Sequence, residues 1–374
     1  MVNNKFHQAT LDELETLVDI PSETGFEHEM LRYLDDRFQG MGLVTDYQPV
    51  IQDRYNLVVN PQDNPLIITA HTDTVPEILE GRKCYRYTKG DLVYGRGAAD
   101  TKGGIAALIM AVESFLQNER MENKNLPFTL VFTVDEEKEG AGAEIMAESM
   151  NGKGAIVLEP TELNVGVAQA GSIEVLIKVF GNPAHGGQWD LVENAVKRTI
   201  RIINELDKLP FVNDYDDLLG PGGFNMQWLK GGQKHALIVP SRCEAVLDFR
   251  VLPDQDVEEI KDVLETFLGN YGLVDVEFME FSPSFRVPSE EPMVQLMCKA
   301  VETSIGEKTN VQGFKSWTDA EPLYGAGITP VIFGPGSLTL GHTPHEHINI
   351  NDVVSASNVL KETIRRATNH IQHI

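Results

Sequence analysis

Long apolar runs, paired cysteines and a basic surplus are all missing from this chain. No stretch of about 18 apolar residues occurs among its 374, so no membrane-spanning helix is expected. The opening MVNNKFHQATLDELE has no apolar core of the kind a signal peptide needs, and no Asn-x-Ser/Thr sequon follows; a cytoplasmic location is the default expectation. Cys84, Cys243 and Cys298 stand far apart and form no Cys-x-x-Cys, which argues against a disulfide framework and against a thiolate metal site. Basic residues number 31 against 56 acidic, and a formal charge of -25 opposes binding to a polyanion, so nucleic acid is not expected as a partner. An acidic balance can serve solubility, and some of the carboxylates can instead be neutralised by metal.

What remains is an ordinary globular composition, 42% hydrophobic with 32 Gly and 19 Pro, enough to build a sizeable core. At roughly 150 residues per domain, two domains are expected. The first half alternates apolar runs with helical patterns: NPLIITAHTDTV, TKGGIAALIMAVESFLQ, LPFTLVFTVDEE and GKGAIVLEPTE. This is an α/β layout with buried strands, and each polar cluster follows an apolar run, where open α/β sheets place their binding crevice. From about Gly171 the order becomes strand, helix, strand, strand, helix, strand, ending at VDVEFMEF, which reads as a ferredoxin-like βαββαβ unit. A helix near Met293 to Ile305, a strand TPVIFG and a last helix from about Val353, capped by Asn351 or Asp352, then resume the first layout. Residues 171–282 are therefore expected to be a module inserted into a catalytic domain made of residues 1–170 and 283–374.

Each polar cluster has a plain reading and a chemical one. In His71-Thr72-Asp73 alternate side chains share one side of extended backbone, so Asp73 can orient the His71 ring; the same pair also serves as an ordinary hydrogen bond. Asp100, in GRGAADTKGG just before a helix, suits a bridging carboxylate or an N-cap; it stands where a dinucleotide fingerprint would need its third glycine, which argues against a nucleotide. Glu136 and Glu137 leave the strand FTLVFTV in different directions, so one can meet a metal while the other meets the attacking water; DEEKE is otherwise a solvated loop. Glu159, directly after a buried-looking strand, needs a partner. His342, His345 and His347 form a loop cluster that is ambiguous by itself. Converging carboxylates repel one another without cations, whereas two dications with three carboxylates and a hydroxide are neutral.

Taken together, HTDTVP, GRGAADTKGG, DEE at Asp135 to Glu137, EPT at Glu159, NPAHGG around His185, DFR ending at Arg250, WTDA at Thr318 and GPG followed by HTPHE resemble the co-catalytic zinc amidohydrolases and peptidases. That family includes acetylornithine deacetylase, succinyl-diaminopimelate desuccinylase, aminoacylase and glutamate carboxypeptidase. The resemblance runs along nearly the whole chain. It implies a zinc-peptidase-like catalytic domain, with a mixed sheet flanked by helices, and an inserted ferredoxin-like lid and dimerisation domain. It further implies two divalent ions, most naturally Zn²⁺ with Co²⁺ or Mn²⁺ as substitutes, one held by His71, Asp100 and Glu159 and the other by Asp100, Glu137 and His342.

By the same resemblance Glu136 is the general base, moving a proton from the attacking water to the leaving amine, with Asp73 orienting His71. His185 would reach the active site of a partner subunit and stabilise the oxyanion, implying a homodimer, and Arg250 would clamp a substrate carboxylate. The expected reaction is hydrolysis of the amide of a small N-acyl amino acid, with carboxypeptidase or dipeptidase activity on short peptides as the alternative. Leu237, Trp189, Val192 and Trp317 depart from the common pattern near substrate contacts, and the expectation is a bulkier or more apolar acyl group.

Overall fold

The runs Leu66–His71, Phe128–Thr133 and Gly154–Val157 are buried along their entire length, as strands covered on both faces must be. The structure, a computed structural model, describes residues 2–79, 81–119, 126–234 and 237–370. The chain divides into two compact units, one of residues 1–167, 287–312 and 318–374, the other of residues 168–286 and 313–317.

Along the chain run α1 (Val2–Asp19), α2 (His28–Gly40), β1 (Thr45–Ile51), β2 (Arg54–Val59), β3 (Leu66–His71), α3 (Gly103–Glu119), β4 (Phe128–Thr133), α4 (Ala141–Ser149), β5 (Gly154–Val157) and β6 (Val165–Gln169). The second unit supplies β7 (Gly171–Phe180), α5 (Ala195–Leu206), β8 (Gly223–Gly231), β9 (Arg242–Val251), α6 (Val257–Gly269) and β10 (Val274–Ser282). The first unit resumes with α7 (Pro292–Ile305), β11 (Thr329–Ile332) and α8 (Ile350–His370).

A mixed sheet with strand order β1-β2-β4-β3-β5-β11-β6 forms the centre of the first unit. Strands β4, β3, β5 and β11 are mutually parallel, and β1, β2 and β6 join antiparallel. The parallel core brings the carboxyl ends of β3, β4, β5 and β11 to one edge, which decides where the chemistry can lie. Helix α3 is buried on every side from Ile105 to Val112 and packs against α8. An all-round apolar helix is stable only when enclosed in this way.

The last helix starts at Ile350 rather than near Val353. The Ile350 N–H donates to the Asp91 carbonyl and the next, that of Asn351, to the Asn349 side chain at 2.9 Å, so the cap is Asn349 and not Asn351 or Asp352.

In the second unit a four-stranded antiparallel sheet has the order β8-β9-β7-β10. Odd-numbered residues of β7, Ile173, Val175, Ile177 and Val179, face a core with Ala245, Leu247 and Phe249 of β9 and with Ile202, Leu206, Ile260 and Leu264 from α5 and α6. The strict alternation of β7 is what one buried face requires. Strand β8 lies at the sheet edge and exposes Met226, Trp228 and Leu229.

Candidate metal centre and catalytic site

Three parallel strands end at the same edge, and the residues that close them carry the chemistry. His71 is the last residue of β3, the pair Glu136–Glu137 follows β4 by three residues, and Glu159 follows β5 by two. Asp100 arrives from a turn at Gly97, whose φ of +79° suits glycine and where a Cβ would lie 2.7 Å from the Thr74 methyl. His342 comes from the loop after β11 with φ of +58°, and Asp135, with φ of +72°, bends the chain ahead of Glu136. Left-handed backbone at non-glycine residues costs about 1 kcal/mol or more and collects where side chains must be aimed.

Asp100 lies between two histidines. Its Oδ1 is 3.1 Å from His71 Nε2 and its Oδ2 is 3.5 Å from His342 Nε2. Glu159 Oε1 stands 3.9 Å from His71 Nε2, and Glu137 Oε2 stands 2.9 Å from His342 Nε2. Two donor sets thus share one carboxylate: His71, Asp100 and Glu159 form one, and Asp100, Glu137 and His342 the other, with ligand atoms in each within 4.8 Å of one another. Glu136 also falls within that reach of His71 and Glu137.

His71 Nδ1 is 3.0 Å from the Asp73 carbonyl. Donation to that carbonyl leaves the lone pair of the neutral ring on Nε2, facing Asp100, the tautomer a metal ligand needs. The Asp73 carboxylate is farther, 3.7 Å from Nδ1, and its closer bonds go elsewhere: to the backbone N–H groups of Glu136 and Glu137 and to the Thr24 hydroxyl. Asp73 therefore holds the His71 ring by its backbone, and its side chain ties β3 to the Glu136 loop.

The electrostatics of the cluster are those of crowded, buried carboxyls. Burial pushes Glu136 well above the ordinary carboxyl range, and Glu159, Glu137 and Asp319 add to the shift against the opposing pull of His71. Glu159 is raised in the same way, by burial and then by Asp100, Asp319 and Glu137 against His71. Burial also raises Asp319, to about 6, although it accepts the Thr133 hydroxyl at 2.5 Å. Burial alone would lower the His71 imidazole, but Glu136, Asp100, Asp73 and Glu159 hold it well above its usual value. The buried Glu159 Oε1 has no hydrogen-bond partner among the described residues. Carboxyls crowded until they keep protons, one of them with an orphaned oxygen, fit divalent cations, which would supply the compensating charge. The all-oxygen-and-nitrogen donor set suits Zn²⁺, Co²⁺ or Mn²⁺.

Sequence reasoning did not assign roles to several residues that support this centre. Arg54 pairs with both Glu27 and Asp135, the latter at 2.6 Å. Lys102, almost wholly buried, donates to the Ile20 carbonyl at 2.7 Å, and burial pushes its ammonium down to about 8. Arg96 and Glu346 form an ion pair beside Asp100. Both lie in the segments GRGAAD and HTPHE, but a pairing across 250 positions leaves no spacing signature.

His185 and Arg250 belong to the second unit. Exposed His185 accepts the Gly187 N–H on Nδ1 at 3.1 Å, which puts the ring proton on Nε2. Arg250, on β9, pairs with Asp248 at 2.5 Å and is partly exposed. His345 and His347 lie outside the donor sets; His347 instead lies against Tyr94, which stacks on Tyr87.

The family model described as Peptidase family M20/M25/M40 matches residues 67–366. An acetylornithine deacetylase of Myxococcus xanthus is 27% identical over 385 residues, which span 96% of each chain. Among solved structures, a tripeptidase of Staphylococcus aureus superposes with a TM-score of 0.80 at 22% identity, covering 97% of this chain and 99% of that one. A dinuclear metal-binding peptidase of Bacillus subtilis superposes with a TM-score of 0.66 at 16% identity, covering 99% and 100%.

Proposed function

Because the chain belongs to peptidase family M20/M25/M40, we infer that this metallohydrolase of amide or peptide bonds cleaves the amide of an N-acyl amino acid at two divalent metal ions, most naturally zinc. The observation that carries this reading is Asp100, one oxygen toward His71 and the other toward His342, with Glu136 alongside. His71, Asp100 and Glu159 would hold one ion, and Asp100, Glu137 and His342 the other. Bound there, the ions would polarise the scissile carbonyl and acidify water.

The protein's own groups supply the remaining steps. Glu136, which lies within ligand reach of His71 and Glu137, takes the proton of the attacking water and passes it to the departing amine. Asp73 keeps the loop of this base in place through the N–H groups of Glu136 and Glu137. The Nε2–H of His185 is an available donor to an oxyanion, and Arg250 retains guanidinium N–H groups for a substrate carboxylate.

The second unit is read as a ferredoxin-like lid, supported by its βαββαβ order and four-stranded antiparallel sheet. Its exposed edge strand β8, with Met226, Trp228 and Leu229, suits pairing with a second copy and so supports a homodimer. Around His185 the same unit exposes apolar side chains: the His185 strand pairs with Ile238, the Gly186 N–H donates to the Leu237 carbonyl at 2.7 Å, and Leu237 and Trp189 are 84% and 60% exposed. That collar supports an acyl group larger and more apolar than acetyl. Among the described residues no helix is long and apolar enough to cross a membrane, and a cytoplasmic setting remains part of the proposal.

Carboxypeptidase or dipeptidase activity is the second reading, favoured by the 27% identity over 384 residues to a probable carboxypeptidase of Aspergillus clavatus, and the same site could serve it because both reactions pass through a similar tetrahedral transition state. A panel of N-acyl amino acids and dipeptides, assayed with Zn²⁺ or Co²⁺ for amine release, decides between them. Higher kcat/KM on acyl amino acids is expected; higher values on dipeptides select the peptidase.

A further inference from the structure

Four residues before Asp100 and four after His342, Arg96 and Glu346 meet as an ion pair, Nη1 to Oε2 at 2.6 Å, both side chains almost fully buried. Glu346 Oε1 accepts the N–H groups of Ala99 at 3.1 Å and of Asp100 at 3.2 Å. The Gly95 N–H donates to the Glu346 carbonyl at 3.2 Å, and Arg96 Nε donates to the Pro76 carbonyl at 3.2 Å, in the loop that follows His71. One ion pair is thus bonded to all three loops that carry His71, Asp100 and His342, while belonging to neither donor set.

A buried ion pair is a poor device for stability alone, because apolar residues of similar size often do as well. It does fix a geometry. The two donor sets also differ in how else they are held. His71 ends a fully buried strand and Glu159 follows another, so the sheet positions both. His342 sits on a half-exposed loop in left-handed backbone, and the next residue of that loop anchored in the interior is Glu346.

We propose that Arg96 and Glu346 are positioning residues that keep Asp100 and His342 in register, so that their loss weakens the Asp100–Glu137–His342 position more than the His71–Asp100–Glu159 position. The inference rests on the two-ion reading above. Residues that orient ligands from behind typically change metal affinity by about 10- to 100-fold.

The test strips wild type, Glu346→Ala, Glu346→Gln and Arg96→Met of metal and titrates each with Co²⁺ against a chromophoric chelator, recording visible absorption and a circular-dichroism melt. Wild type is expected to take up two ions. Glu346→Ala should keep the tighter ion within about threefold and bind the second at least about tenfold more weakly, with an altered cobalt spectrum. Glu346→Gln, whose amide oxygen still accepts the Ala99 and Asp100 N–H groups, should recover most of the loss. A folded Glu346→Ala that binds both ions like wild type, or loses both equally, overturns the inference. If Glu346→Ala does not fold, Arg96→Met decides by the same criteria. Fewer than two ions on wild type would instead overturn the two-ion reading, and this inference with it.

Discussion

The Asp73 carboxylate accepts the backbone N–H groups of both Glu136, at 3.2 Å, and Glu137, at 3.1 Å. The strand end that carries one candidate ligand is therefore bonded to the loop that carries the candidate base. Burial would raise the Asp73 carboxyl, but His71, the Thr24 hydroxyl and the Glu137 N–H hold it below its usual value. Asp73→Ala should lower kcat by about 10- to 100-fold, with KM less affected and metal affinity reduced. Unchanged kcat in the metal-loaded variant would remove this linkage from the mechanism.

Glu136→Gln keeps the shape of the side chain and removes its ability to accept a proton. Turnover should fall by about 100- to 10,000-fold, while two metal ions per chain remain by elemental analysis. A variant that turns over normally would deny Glu136 the role of base.

Metal should stabilise the fold as well as activate it. Crowded carboxyls at Glu136, Glu137 and Glu159 lose their mutual repulsion when cations bind, so chelation should abolish activity and lower Tm. Restoring Zn²⁺ at about 100 times its Kd should return about 2.7 kcal/mol of stability. Melting curves that coincide with and without metal would argue against a cation among these carboxyls.

In the second unit Asp216 accepts the N–H groups of Leu218 and Leu219 at 2.8 and 2.9 Å and pairs with Arg286. Burial alone would raise its carboxyl, but the Leu219 and Leu218 N–H groups and the Arg286 guanidinium hold it below the usual value. A lowered folded-state value means the contribution is present above the unfolded value, near 3.9, and is lost as pH falls through the folded one. Asp216→Asn should cost about 1 kcal/mol at pH 7, read as a lower Tm, and the deficit should vanish toward pH 2. An equal deficit at both pH values would assign the effect to packing.

If the exposed apolar collar of Leu237 and Trp189 selects the acyl group, Leu237→Asn should shift preference toward acetyl. A pocket gains about 1–3 kcal/mol per fitted methylene, so the ratio of kcat/KM for a longer acyl chain over acetyl should fall about 10-fold or more. A ratio that does not move would free Leu237 from any part in specificity.

Much of this was legible in the linear order of residues, for physical reasons. Buried parallel strands need unbroken apolar runs, so LIITA, FTLVFTV and GAIVL mark themselves. Polar residues directly after such runs have few neutral explanations, which exposed His71, Glu137 and Glu159 as candidates. The alternation of β7 and the amphipathic α5 and α6 likewise declared a sheet with one covered face. Chain composition alone also disfavoured disulfides and a polyanionic partner.

Only the tertiary structure decided how these groups meet. That Asp100 turns one oxygen to each histidine, that Asp73 holds His71 by its carbonyl while its carboxylate reaches the Glu136 loop, and that Glu346 grips the Asp100 backbone from 246 residues away depend on contacts between distant segments. Hydrogen bonds to backbone N–H and C=O groups use atoms that nearly every residue owns, so they impose no residue pattern at the far end. Side-chain chemistry is written residue by residue; the geometry that makes it a centre arises when the parallel strands bring their ends to one edge.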